Sequence, residues 1–151
     1  MKQTLKFPST IQCLSFGSLS LLFSVMLIGV YITSSYQGLS CPEWPLCPNG
    51  FNLPPPEYFF EHTHRMLVLI TGGFIFSTAI YSSIKVKNVQ KPAIIASILV
   101  LIQIILGMFV VNSKLDAVLV ASHLSTGITL FSMTLLTFLF SLRTNHTNYK
   151  F

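Results

Sequence analysis

The sequence predicts an all-α membrane protein, one domain over residues 1–151 folded as a bundle of four transmembrane helices. Three observations predict it. Hydrophobic residues make up 52% of the chain and charged residues 9%, with a mean hydropathy of +0.69, a balance unsuited to a water-exposed surface. Four apolar stretches, at 10–34, 58–84, 92–111 and 117–142, each have the roughly 20 helical residues needed to cross a hydrocarbon core of about 30 Å. Between and beyond them the Lys and Arg residues are dispersed, with no basic stripe or stacking platform, so the net charge of +5 signals topology and not nucleic-acid binding.

The first stretch follows Lys2 and Lys6. Its apolar part exceeds a signal-peptide core of about 7–15 residues and no small-residue cleavage site follows, so it is expected to stay in the mature protein. Gly17 and Gly29 within it are spaced for packing against a neighbour, and Cys13 reads as a buried, inert thiol, since nothing near it in sequence lowers a thiol pKa. Lys85, Lys87 and Lys91 fill the link between the second and third stretches, and Arg143 and Lys150 follow the fourth. By the positive-inside rule these belong to the cytoplasmic side of a cell membrane. Both termini are then cytoplasmic and the 35–57 loop is extracytoplasmic. The polar tail from Thr144, with His146, reads as loose and solvated.

The 35–57 loop differs in composition from the spans: Gly38, Gly50, Cys41, Cys47, Trp44 and six prolines, three of them consecutive at Pro54, Pro55 and Pro56. Prolines fix φ and remove donors, which predicts an irregular, rigid loop that ends where the second helix starts. Trp44, Phe51 and Tyr58 suit the headgroup level. On an oxidising face Cys41 and Cys47 are expected to form a disulfide. A structural staple and a redox-active pair both contain that bond.

The second stretch opens on Glu61-His62-Thr63-His64-Arg65. Ionisable groups at membrane depth cost several kcal/mol unless paired or ligated, so they are functional candidates by default. Helical spacing clusters Glu61, His64 and Arg65 and turns His62 nearly the opposite way. Below His64 lie Val68, Thr71 and the Gly72-Gly73 pair, which removes bulk where a flat ligand or another helix can approach. In the third stretch Gln103 and Gly107 share a face, and Gln103 is expected to hydrogen-bond between helices. The fourth carries His123, with Gly127 one turn deeper leaving space under the imidazole.

His64 lies six residues past Tyr58 and His123 six past Ala117, which puts both about 9 Å into the span at a rise of about 1.5 Å per residue. Two imidazoles at one level of a bundle suit axial ligation of a haem iron. Structural zinc takes four ligands as a rule, and no third His or Cys accompanies this pair: His62 turns away from His64, and Cys13 lies near the opposite end of its span. With a haem in place, Arg65 is expected to pair with its propionates. Glu61 either orients an imidazole or acts as an acid or base, or else simply neutralises Arg65 in an i,i+4 salt bridge.

With these residues in view the chain resembles the heme A synthase family. The resemblance rests on Gly38-Leu39-Ser40-Cys41-Pro42-Glu43-Trp44-Pro45-Leu46-Cys47 as the cysteine-bracketed loop, Glu61-x-x-His64-Arg65 as the helix start, Gln103-x-x-Leu106-Gly107 and His123, in that order. It implies oxidation of the C8 methyl group of heme O, through hydroxylation, to the formyl group of heme A, the cofactor of terminal oxidases. It also implies His64 and His123 as ligands of a heme b iron, Glu61 as the catalytic carboxylate, and a Cys41–Cys47 disulfide near the haem. The partners implied are the heme O substrate, heme O synthase and an electron donor. Family members commonly have eight helices in two four-helix halves; this chain matches one half, which points to a homodimer. The alternatives are a bis-histidine membrane cytochrome b that transfers electrons without modifying haem, and a thiol oxidoreductase, for which one pair lacking C-x-x-C spacing is poor support.

Overall fold

The computed structural model describes residues 9–48 and 50–147, with side chains as far as Arg143. Lys2, Lys6, Lys150 and the His146 side chain, all named above, lie outside the described residues. Four helices, α1 (Thr10–Ser34), α2 (Phe59–Lys85), α3 (Lys87–Asn112) and α4 (Ala117–Thr147), form the structure, with a short 3-10 turn (Pro56–Tyr58) leading into α2. All four are long and apolar enough to cross a membrane. Each packs on the next, and α4 returns to α1, so the bundle closes as a ring.

Local chemistry sets the ends. The Ser9 N–H donates to Gln12 Oε1 at 2.9 Å at the start of α1. Asp116 caps α4, its Oδ1 accepting from the Val118 and Leu119 N–H groups at 3.0 and 3.2 Å, which satisfies donors a helix start leaves free. Helices α1 and α3 end alike. Tyr36 N–H bonds the Thr33 carbonyl and Gln37 N–H the Ile32 carbonyl; Lys114 N–H bonds the Val111 carbonyl and Leu115 N–H the Val110 carbonyl. This is the Schellman pattern, which requires a left-handed residue after the helix. Tyr36 (φ 59°) and Lys114 (φ 55°) fill that role without glycine.

Two helix bounds differ from expectation. Helix α3 starts at Lys87, ahead of Pro92, so the link to α2 shrinks to Val86, and Lys87 and Lys91 lie on α3 itself. Proline here removes only the bond to a carbonyl near the helix start, a smaller loss than in mid-helix. Helix α4 continues past residue 142 to Thr147, where a loose tail was expected. A third difference is Cys13, which is exposed and not buried: it stands on the face of α1 turned away from the bundle.

The core takes residues from every helix: Leu22, Ile75, Ala96, Val100 and Leu130, with Met26, Phe76, Leu99, Phe131 and Met133 against them. Toward the end away from the loop, buried hydroxyls join helices directly. Ser15 Oγ meets Ser141 Oγ at 3.1 Å and Ser18 Oγ meets Thr78 Oγ1 at 3.2 Å. Each of these side chains also bonds a carbonyl of its own helix, the local satisfaction that lets Ser and Thr sit in an apolar interior. The buried polar groups at the two ends of the bundle are therefore unlike: hydroxyls at one, ionisable groups at the other.

Candidate haem site

The loop end of α2 carries the ionisable cluster. Glu61 is buried and fully engaged: Oε1 accepts from Arg65 Nη2 at 2.5 Å, and Oε2 accepts from Ser40 Oγ and from the Cys41 N–H, both at 2.9 Å. Arg65 Nη1 donates to the carbonyls of Glu43 (2.5 Å) and Pro45 (3.4 Å). Glu61 and Arg65 thus clasp the loop segment 40–45 onto α2 through charge-assisted bonds, the stronger kind. The i,i+4 salt bridge is present, and it is more than mutual neutralisation because both partners also hold the loop backbone. Cys41 and Cys47 are disulfide-bonded, with Cα atoms 5.1 Å apart, and both are buried. Trp44 and Phe51 remain exposed, at 41% and 75%.

The two expected ligands stand near the loop ends of α2 and α4, helices that lie opposite one another in the ring. His64 and His123 are half-buried, and each has a buried Nδ1 with no hydrogen-bond partner. An unpaired buried polar atom costs about 1–3 kcal/mol. Each is a nitrogen with unused ligating capacity. Among the described residues no three His, Cys, Asp or Glu side chains converge on a point. Small residues seat the two rings: a Cβ on Gly29 would stand 3.2 Å from His64 Cε1, and one on Gly107 3.5 Å from His123 Cε1. Gly72 is buried, yet a Cβ there would meet nothing within 4 Å. Two half-buried imidazoles with unpartnered nitrogens are donors of the type that holds a haem iron.

Several placements were not legible beforehand. Gly29 is a seat for His64 and not merely a helix-packing residue. Gln103 does bond between helices, its Nε2 donating to the His123 carbonyl at 2.9 Å. The space above Gly127, expected under the imidazole, is faced by this Gln103 amide, with Nε2 3.8 Å from a Cβ built there. His62 is only 6% exposed and its Nδ1 is unpartnered, so pointing away from His64 has not put it in the open. Ser40 and the Cys41 N–H, which hold Glu61, carried no sequence signal beyond their place in the cysteine loop.

Comparison with known proteins bears on this arrangement. The chain is 28% identical to a heme A synthase of Shewanella oneidensis over 134 residues, covering 76% of this chain and 41% of that protein. It is 32% identical to heme A synthases of Lysinibacillus sphaericus over 107 residues (67% of this chain, 35% of the relative) and of an Exiguobacterium species over 118 residues (74% and 39%). The chain therefore spans about two fifths of the length of these relatives. The family described as COX15-CtaA, cytochrome oxidase assembly protein, matches residues 51–150, a stretch that includes Glu61, His64, Arg65, Gln103 and His123. On a match of that extent, the chain belongs to the COX15-CtaA family of cytochrome oxidase assembly proteins.

Proposed function

We propose that the protein is a heme A synthase-type membrane oxidoreductase, with His64 and His123 as axial ligands of a heme b iron and Glu61 as the catalytic carboxylate. The observation that carries the reading is the pair of half-buried imidazoles with unpartnered Nδ1 atoms near the loop end of the bundle inside a chain of this family. A bound haem supplies the redox chemistry by which the C8 methyl group of heme O becomes the formyl group of heme A. The chain's own residues do the rest. His64 and His123 would hold the iron, the apolar side chains around them would exclude water, and Arg65 would offer its guanidinium to propionates at the loop end. Glu61 accepts or returns a proton at Oε1 or Oε2, one helical turn from His64.

The proposal includes the surroundings. The protein resides in the plasma membrane with both termini cytoplasmic and the disulfide loop outside, receives heme O from heme O synthase, and draws on an electron donor. It works as a homodimer of four-helix units; Gly73, exposed on α2 with open space around it, allows the close helix approach such packing uses. Native mass measurement in detergent tests the dimer, and an active monomer would remove it.

One observation favours the second reading, a bis-histidine cytochrome b confined to electron transfer: the loop contacts of Glu61 and Arg65 account for both residues without any chemistry. The test is direct. His64→Ala and His123→Ala should each abolish the low-spin haem spectrum, since nothing adjacent replaces a lost coordinate bond. Wild-type protein supplied with heme O should yield heme A or its hydroxylated intermediate in extracted haem. Tightly held heme b without product would establish the cytochrome reading, and unaltered spectra in both Ala variants would refute the ligand assignment.

A further inference from the structure

The four helices are two hairpins built on one plan. Helices α1 and α3 both end in a Schellman turn on a left-handed non-glycine residue, Tyr36 and Lys114. Two turns before that residue each carries a glycine, Gly29 or Gly107, against which rests the imidazole of the helix that follows. One turn earlier again the plans differ. In α1 the position is Val25. In α3 it is Gln103, whose side-chain Nε2 donates to the His123 carbonyl at 2.9 Å.

That bond is unusual in its acceptor. The His123 carbonyl already faces the N–H of Gly127 along the helix, and the Gln103 amide is a second donor to it, packed at contact distance over Gly127, where a Cβ would lie 3.8 Å from Gln103 Nε2. Gln103 and Gly107 share one face of α3 a turn apart. The first grips the His123 backbone, and the His123 ring lies close to the second.

We infer that Gln103 is a positioning residue for the His123 ligand, acting as a clamp on the His123 carbonyl. The inference rests on the bis-histidine reading for its role with haem, but the clamp itself belongs to the protein without haem. Partners that bond the ring of a metal-ligating histidine typically change metal-site affinity by about 10–100-fold; Gln103 bonds the backbone carbonyl instead, which places its effect near the lower end of that range. His64 has no counterpart of the amide, so the effect is confined to one of the two ligands.

Full-length chain is purified in nanodiscs and titrated with heme b, alongside histidine-labelled NMR of the haem-free protein. Gln103→Leu, which removes the donor, should weaken haem binding about tenfold or more and convert part of the ferrous haem to a carbon monoxide-reactive form. In haem-free protein it should shift the His123 ring resonances and leave those of His64 in place. Gly127→Leu, which fills the amide's position and leaves Gln103 intact, should do the same. Gln12→Leu deletes an amide-to-carbonyl bond of the same kind, from Gln12 Nε2 to the Ser141 carbonyl at 3.5 Å, at the opposite end of α4, and should change neither readout. Unmoved His123 resonances in both Gln103→Leu and Gly127→Leu would overturn the clamp, as would an equal effect from Gln12→Leu. A wild-type protein that takes up no low-spin haem would instead sink the bis-histidine reading, with the NMR comparison still deciding the clamp.

Discussion

Replacing Glu61 by Gln separates the two duties this residue carries, holding the loop and moving a proton. The carboxylate accepts from three donors, Arg65 Nη2, Ser40 Oγ and the Cys41 N–H. Gln keeps one acceptor oxygen and turns the other into a donor. With its oxygen toward Cys41, its NH2 faces the Arg65 guanidinium; flipped, its NH2 faces the buried Cys41 N–H. Either way one buried donor is orphaned, at about 1–3 kcal/mol. The ion pair is lost as well, between side chains only 6% and 11% exposed, for which breaking a fully buried pair sets an upper range of about 3–5 kcal/mol. We expect about 2–4 kcal/mol in all, or a loop-opening equilibrium raised roughly 30- to 700-fold at about 1.4 kcal/mol per factor of ten. Hydrogen exchange at the Cys41 amide reads that opening. Ser40→Ala is the companion, deleting one hydrogen bond at about 0.5–1.5 kcal/mol and leaving the carboxylate. If Glu61 also handles a proton, heme O conversion falls in Glu61→Gln far beyond what loop opening explains, while Ser40→Ala stays near wild type. Conversion that merely tracks exchange across both variants would assign Glu61 to the loop alone. Unchanged exchange in Glu61→Gln would refute the latch and the magnitude worked from it.

Other expectations follow from the same contacts. Cys41→Ser with Cys47→Ser frees a short loop whose closure contributes about 2 kcal/mol in the chain-entropy account, so exchange at residue 41 should rise while membrane insertion holds; a staple leaves product formation near wild type, and a redox-active pair loses it. For topology, a cysteine placed at Asn88 should react only with reagents that reach the cytoplasm and one at Asn52 only with impermeant reagents outside, as the Lys and Arg distribution requires. Labelling of position 88 from outside would invert the arrangement. Gly29→Ala should disturb His64 more than Gly107→Ala disturbs His123, because the added methyl meets the ring at 3.2 Å in the first case and 3.5 Å in the second; the reverse order in the haem spectra would show that the rings do not rest where these glycines place them.

What could be read from the sequence was whatever depends on composition and short-range spacing. Four apolar runs specify four helices because lipid leaves the backbone no other way to satisfy its hydrogen bonds, and the starts of α1 and α4 were legible to the residue. Pro92 misled, since proline marks a helix start by preference and not by necessity. Cys13 misled for a different reason: in a soluble protein an apolar thiol belongs inside, whereas a membrane helix can turn it to lipid at no cost. His64, His123 and Gln103 stood out as polar residues in apolar runs, and Gln103 does bond across helices, to the His123 carbonyl.

The contacts that give the site its shape were hidden because they are made by residues with no chemistry of their own. A glycine in an apolar helix says only that something may come close, and nothing in the neighbourhood of Gly29 names the His64 ring. The shared plan of the two hairpins becomes visible once the helix ends are aligned on Tyr36 and Lys114, which brings Gly29 over Gly107 and Val25 over Gln103. Seen that way, the difference between an apolar residue and an amide at one position is informative. His64 shares its helix end with Glu61 and Arg65, which tie it to the loop; His123 has no ionisable neighbour within a turn on α4, and the neutral amide from α3 takes the place of those contacts. The helix end that bears His64 is therefore tied to the disulfide loop, and the backbone of His123 to α3. A change in the loop, by reduction of its disulfide or loss of the Glu61 latch, should reach the His64 side of a bound haem and leave the His123 side as it was. Histidine-labelled NMR of the Cys41→Ser, Cys47→Ser protein checks this, and equal shifts at both rings would show that the two supports are not independent.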